Sequence, residues 1–173
     1  MELEDEQQKH LVEELDRLLL IKSVMIHKLV IMKLLDRVIC ELLKRGLEHD
    51  DSKLKEPELG IFSSNIRIFN EMVNYHYIKE NDNNELELSI EHGKQLHYDS
   101  NSHHPEHYGE LGINGMDLVD IIEMVCDWLG SHERYKNIEE VEKMLSIQYK
   151  RFGIDEQLGH IISNSVKKWI DIL

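Results

Sequence analysis

From about Glu4 to Leu43 apolar residues recur three and four positions apart, the period of a helix. The pattern predicts helix throughout this stretch, in two parts with a break near Ile21–Ser23. In the second part the apolar positions run nearly all round the axis, from Val24, Met25 and Ile26 through Val38 and Ile39. A helix of that kind is expected to be central and buried. Gly46 follows Lys44 and Arg45 and reads as a C-terminal stop with cations at the negative end of the helix dipole.

Beyond a polar turn over Glu48–Lys53, Pro57 opens a short helix, residues 62–79 continue helical but irregular, and Asn81–Asn84 reads as a loop. A helix is expected from Glu85 to about Ser102, ending before Pro105 because the residue preceding a proline avoids the α region. Gly109 to Gly115 reads as a loop. Asp117 caps the next helix, whose apolar set is Leu118, Ile121, Ile122, Val125 and Leu129. Two more helices are expected over about 138–152 and 155–173, separated by Gly153; Ile161, Ile162, Val166 and Trp169/Ile170 form the buried stripe of the second. No strand pattern is evident. The expected fold is an all-α bundle of about six or seven helices in one domain, 1–173, with its core over about 20–130 and the helices of 138–173 packed on it.

Composition narrows the function. With 34 acidic and 20 basic residues the formal charge is −14. Such a chain repels duplex nucleic acid and anionic membranes. The most apolar stretch, Val24 to Leu35, is too short to span a bilayer and carries His27, Lys28 and Lys33. The acidic N-terminus is unlike a secretory signal, and two cysteines, Cys40 and Cys126, make no disulfide framework. These features point to reducing cytoplasm. Alanine and threonine are absent while Ile, Asn and Lys abound, as in the AT-rich coding sequences of some viruses and low-GC bacteria. There is no P-loop, dinucleotide fingerprint or G-x-S-x-G motif.

Histidine is the anomaly, at 11 in 173 residues, with four of them between His97 and His107. His27 lies among Val24, Ile31, Leu34 and Val38, and His49-Asp50 follows it by 22 residues. An adjacent imidazole and carboxylate can bind one divalent cation, and the carboxylate can bridge to a second. Asp120, Glu123 and Asp127 make an acidic strip almost opposite the apolar face of their helix, open to reading either as a solvated face or as a source of ligands. His97, Asn101 and His104 share a face if the helix persists that far, while adjacent His103 diverges by about 100°.

The order His27, His49-Asp50, Asp127 resembles the HD superfamily of metal-dependent phosphohydrolases, over roughly Ser23 to Leu129. Lys53 matches the H-D-x-x-K form, and His103-His104 is similar to the histidine pair of two-metal members such as the HD-GYP phosphodiesterases. More closely, H-D-x-S-K, H-x-x-x-N-x-H-H-P-E and E-M-x-C-D-W together resemble a family of small phage and bacterial proteins. No G-Y-P motif follows His104, so cyclic dinucleotides are not the favoured substrate, and Ser23 stands where some members carry a glutamate.

The resemblance implies an HD-like helical bundle and one or two divalent transition-metal ions, Mn, Fe, Co, Ni or Zn. His27, His49, Asp50, His97, His104 and Asp127 would be the ligands, with His76 a spare candidate. Asp50 would bridge metals or orient water, Lys53 would hold phosphate oxygens, Asn101 would bind a ligand or the substrate, and His103 would protonate the leaving group. The leading activity is hydrolysis of a nucleotide or other small phosphate ester. The alternatives are a di-iron oxygenase and a non-catalytic nucleotide- or protein-binding protein, such as a phage anti-defence factor.

Overall fold

The computed structural model describes residues 2–73, 84–130 and 137–170. Every regular element among them is helical: α1 (Glu2–Glu48), α2 (Glu58–Val73), α3 (Asn84–Ser100), α4 (Leu118–Gly130), α5 (Ile138–Phe152) and α6 (Glu156–Ile170). Short 3-10 segments, Asp51–Leu54 and Pro105–Gly115, join α1 to α2 and α3 to α4. The fold class is all-α, as the periodicity implies. No helix of the described residues is long and apolar enough to cross a membrane. The chain divides into two compact units, Met1–Lys44 and Arg45–Leu173.

The first unit is a helix, and it departs from expectation in two ways. No break occurs near Ile21–Ser23, because neither glycine nor proline interrupts the ladder there. The apolar side chains of Val24 to Ile39, expected in the core, are 40–64% exposed. A pattern that is apolar on every side names no face for burial, nor what provides the cover. Gly46 does not end the helix either. α1 runs on to Glu48, and the chain turns at Asp50, whose φ of 60° and ψ of 12° are left-handed. Asp and Asn adopt that conformation more readily than other residues with a Cβ.

The second unit has its apolar core where α4, α5 and α6 meet. Met124, Val125 and Leu129 pack with Val141, Met144, Leu145, Ile162 and Val166. Leu118 and Ile161, expected among the buried residues, are exposed. The ends of these helices follow local rules. Asp117 Oδ1 accepts from the N–H groups of Val119 and Asp120, Asn137 Oδ1 accepts from Glu140 N–H, and Gly153, at φ 62°, closes α5 while Ile154 N–H donates to the Tyr149 carbonyl.

α2 and α3 approach closely at Gly93, where a Cβ would sit 2.7 Å from Ile61 Cγ2. That approach matters one turn later on α3, at His97. Asn81–Asn84 as a loop, the helical reading of 74–79 and the spare candidate His76 lie outside the described residues, as does the side chain of Ile170.

Candidate metal centre

The centre lies entirely within the second unit and is assembled from four places. The end of α1 and the turn after it bring Arg45, His49 and Asp50; the start of α2 brings Glu58; the end of α3 and the following turn bring His97, His103 and His104; α4 brings Asp120, Glu123 and Asp127. The turn after α3 is decisive. Helix stops at Ser100, His104 N–H donates to the Asn101 carbonyl, and the chain enters the 3-10 segment at Pro105. Freed from the 100° rotation between helical neighbours, both His103 and His104 turn inward, with ring centroids 4.2 Å apart.

Asp50, His97, His103 and His104 each offer an atom to a common point, all within 4.8 Å of one another. Asp50 Oδ1 lies 3.2 Å from His97 Nε2 and 3.6 Å from His103 Nε2, and His97 Nε2 lies 2.9 Å from His104 Nε2. A four-coordinate ion with bonds of about 2.0–2.1 Å sets its donors about 3.3 Å apart, so the spacing fits such an ion. Asp50 Oδ1 and His103 Nε2 are both buried without a hydrogen-bond partner. Buried polar atoms are rarely left so, and a bound ion is one thing that satisfies them.

The remaining ring nitrogens are held by carboxylates. Nδ1 of His97 is 3.1 Å from Glu58 Oε2, which also accepts from Ser52 Oγ at 2.9 Å. Glu58 is 4% exposed. The Glu58 contact favours the tautomer of His97 with its proton on Nδ1 and a lone pair on Nε2 toward the centre, while Asn101 Nδ2 and Ser52 Oγ lie 3.0 and 3.2 Å from the same Nδ1. Glu123 acts on two rings at once: its Oε1 is 2.9 Å from His49 Nδ1 and 3.2 Å from His103 Nδ1. Arg45 fixes Glu123 in turn, Nε to Oε2 at 2.7 Å, and reaches Asp120 Oδ1 at 2.5 Å and Ser102 Oγ. Carboxylates behind histidine ligands fix tautomer and ring orientation.

Asp50 divides its oxygens. Oδ2 faces Lys53 Nζ at 2.6 Å and His49 Nε2 at 3.7 Å, and His49 Nε2 also lies 3.5 Å from Asp127 Oδ1. Ionisation follows this layout. The pairing with Asp127 first, against burial, and then the contact with Glu123 push His49 up to about 9. Burial pushes His104 down to about 3, helped by neighbouring His103 and His97, and burial lowers His103 as well. Burial alone would raise the Asp50 carboxyl, but His97 and Lys53 hold it below the usual carboxylate range. His103 and His104 are therefore neutral at pH 7, the state in which imidazole binds metal.

The site residues expected from sequence are only partly brought together. His49, Asp50, Lys53, His97, His104 and Asp127 converge, with His103 among the donors. His103 was expected as a proton donor to the leaving group, but it is 2% exposed and tied between Glu123 and Asp50. Asn101 was expected to hydrogen-bond a ligand or the substrate; its amide lies 3.0 Å from Nδ1 of His97 and donates to Ser52 Oγ and to the carbonyl of His97. His27 is exposed on α1 in the first unit and is not among the converging donors of the described residues. Glu58 was missed altogether, although its place directly after Pro57, at the start of a helix near the His-Asp turn, was a usable signal.

A family model described as "Family of unknown function (DUF5662)" matches residues 19–170. The chain belongs to that family. The match takes in the His-Asp turn, the histidine turn and α4, and so every residue of the centre. No curated protein and no solved structure matches the chain.

Proposed function

We propose that the protein is a metal-dependent phosphohydrolase of HD type acting on a nucleotide or other small phosphate ester. The observation that carries this reading is the convergence of three imidazole Nε2 atoms on Asp50 Oδ1, two of the four donor atoms being buried and without a hydrogen-bond partner. Asp50, His97, His103 and His104 would hold the first divalent cation. Asp50 Oδ2 and Asp127 are the donors nearest a second, and His49 Nε2 would join them on giving up the proton that Asp127 and Glu123 hold on its ring. Mixed imidazole and carboxylate donors suit Mn, Fe, Co, Ni or Zn better than Mg. A cation held there supplies a water of lowered pKa and polarises a phosphoryl oxygen.

The chain's own residues do the rest. Lys53 lies against Asp50 with its side chain 40% exposed, so its ammonium can meet equatorial phosphate oxygens as charge grows on them. A hollow of about 570 Å³ lined by Glu48, Asp51, Ser52, Lys55, Ser100 and Asn101 opens beside the His-Asp turn. It has room for a nucleotide-sized ligand, with Lys55 as its cationic side chain and Glu48 and Asp51 as its anionic ones. Divalent cations held at the centre would offset its carboxylates and the net −14 for a small anion.

The test is elemental analysis of untagged protein, followed by hydrolysis assays with nucleotides and nitrophenyl phosphate mono- and diesters under each metal. Close to one or two equivalents of metal and metal-dependent phosphate release are expected. Less than about a tenth of an equivalent after reconstitution would remove the metal centre. Full metal with iron-dependent oxygen uptake and no phosphate release would instead identify an oxygenase.

A further inference from the structure

The largest feature that the metal centre leaves unexplained is the surface of α1. Between Leu11 and Leu43 it carries 19 large apolar side chains, each at least 40% exposed. Single-chain proteins rarely leave more than about 300–600 Å² of contiguous apolar surface open. These residues extend over about 48 Å of helix at 1.5 Å per residue. A strip of that length and about 10 Å wide, on each of two helices, amounts to roughly 1,000 Å², the size at which a specific interface begins.

The charges on the same helix say what lies against it. Positions 1–16 carry seven acidic residues and one lysine, whereas positions 17–44 carry six basic residues and two acidic ones. In an antiparallel pair centred near Leu29, Glu14 of one copy comes beside Lys44 of the other and Arg17 beside Glu41, whereas positions 2–9 extend past the facing helix.

The seam gives the same direction. Leu11, Leu15, Leu18, Met25, Leu29 and Met32 follow a 3,4 spacing that continues to Ile39 and Leu43, interrupted only by Lys22 and Asp36. A parallel pair would set Lys22 against Lys22 and Asp36 against Asp36. An antiparallel pair centred near Leu29, midway between them, sets each Lys22 beside the Asp36 of the other copy. We propose that α1 is a self-association surface on which a second copy of this chain docks antiparallel, through a two-fold axis near Leu29.

Sedimentation velocity on the full chain tests this at 1–100 µM. The expected species is a dimer of about 41 kDa, twice the 20.5 kDa of the chain. Leu18→Glu combined with Met32→Glu, both at exposed positions, should weaken association by about 100-fold or more while leaving helical circular dichroism intact. Lys22→Glu and Asp36→Lys should each weaken it by about 10-fold, and the double swap should restore it, because only antiparallel packing joins the two positions. A monomer throughout the range, a dimer indifferent to Leu18→Glu with Met32→Glu, or a double swap that fails to restore binding would each overturn the proposal.

Discussion

Asp120→Asn tests the support beneath the centre without touching a donor atom. The carboxylate is 3% exposed. It accepts from Arg45 Nη2 at 2.5 Å, Ser102 Oγ at 2.7 Å, Tyr108 OH at 2.6 Å and Asp117 N–H at 3.0 Å. Burial would raise its pKa, but these donors, led by Tyr108, bring it down to about 2 from 3.8. At 1.36 kcal/mol per pKa unit, that depression corresponds to about 2 kcal/mol of stability at pH 7. Its folded pKa is depressed, so the stabilisation is complete above about pH 4 and is lost as pH falls through about 2. Asparagine keeps the shape, loses the charge and turns an amide toward at least one donor. The variant should be destabilised by at least about 2 kcal/mol at pH 7, a fall in Tm of about 4–8 °C. By pH 3, where the wild type has surrendered about half of the advantage, the gap should shrink to about 1 kcal/mol. Urea unfolding followed by circular dichroism at both pH values measures it. Equal stability at pH 7, or a gap of constant size between pH 7 and pH 3, would refute the ionised, donor-saturated carboxylate.

Three further outcomes follow from the centre. Asp50→Ala should remove bound metal and hydrolysis together, whereas Lys53→Ala should keep the metal and lower the rate by roughly 10–1,000-fold; elemental analysis beside an activity assay separates the roles. Glu58→Gln should keep the fold but weaken metal affinity by about 10–100-fold, read by competition with a chelator, since the amide no longer favours the His97 proton on Nδ1. Gly93→Ala should cost about 1–2 kcal/mol in thermal unfolding despite the better helix propensity of alanine, because its Cβ would press on Ile61 where α2 and α3 meet.

What could be read from sequence was what is decided locally. Asp117, Asn137 and Gly153 end their helices through bonds within a few residues, so the composition of those short stretches is enough. The bounds of α5 accordingly agree with the periodicity. α1 failed for the opposite reason. An amphipathic helix states which face is buried, but Val24 to Ile39 are apolar around the whole axis, and no local rule says whether cover comes from the same chain. Gly46 misled in a related way. Glycine permits a left-handed residue without requiring one, and the turn was taken four residues later by Asp50, itself part of the centre.

The site divides along the same line. His97 and His104 were legible because helical spacing almost reaches the turn, and His49-Asp50 because the pair is adjacent. The carboxylates behind the rings were not. Glu58 meets His97 across 39 positions of sequence, only because a glycine lets two helices close on each other. The strip on α4 shows why opposite faces deceive. Asp120 and Glu123 lie away from the apolar stripe, which ordinarily means solvent, yet α4 is covered on both sides. Met124, Val125 and Leu129 face α5 and α6, while Asp120 and Glu123 are covered by Arg45, Tyr108 and two histidines. Two buried carboxylates are tolerable only with such partners. The burial of Asp120 and Glu123 therefore rests on Arg45 and the histidine turn. Removing Arg45 should unsettle His49 and His103 through Glu123, although Arg45 contacts neither ring.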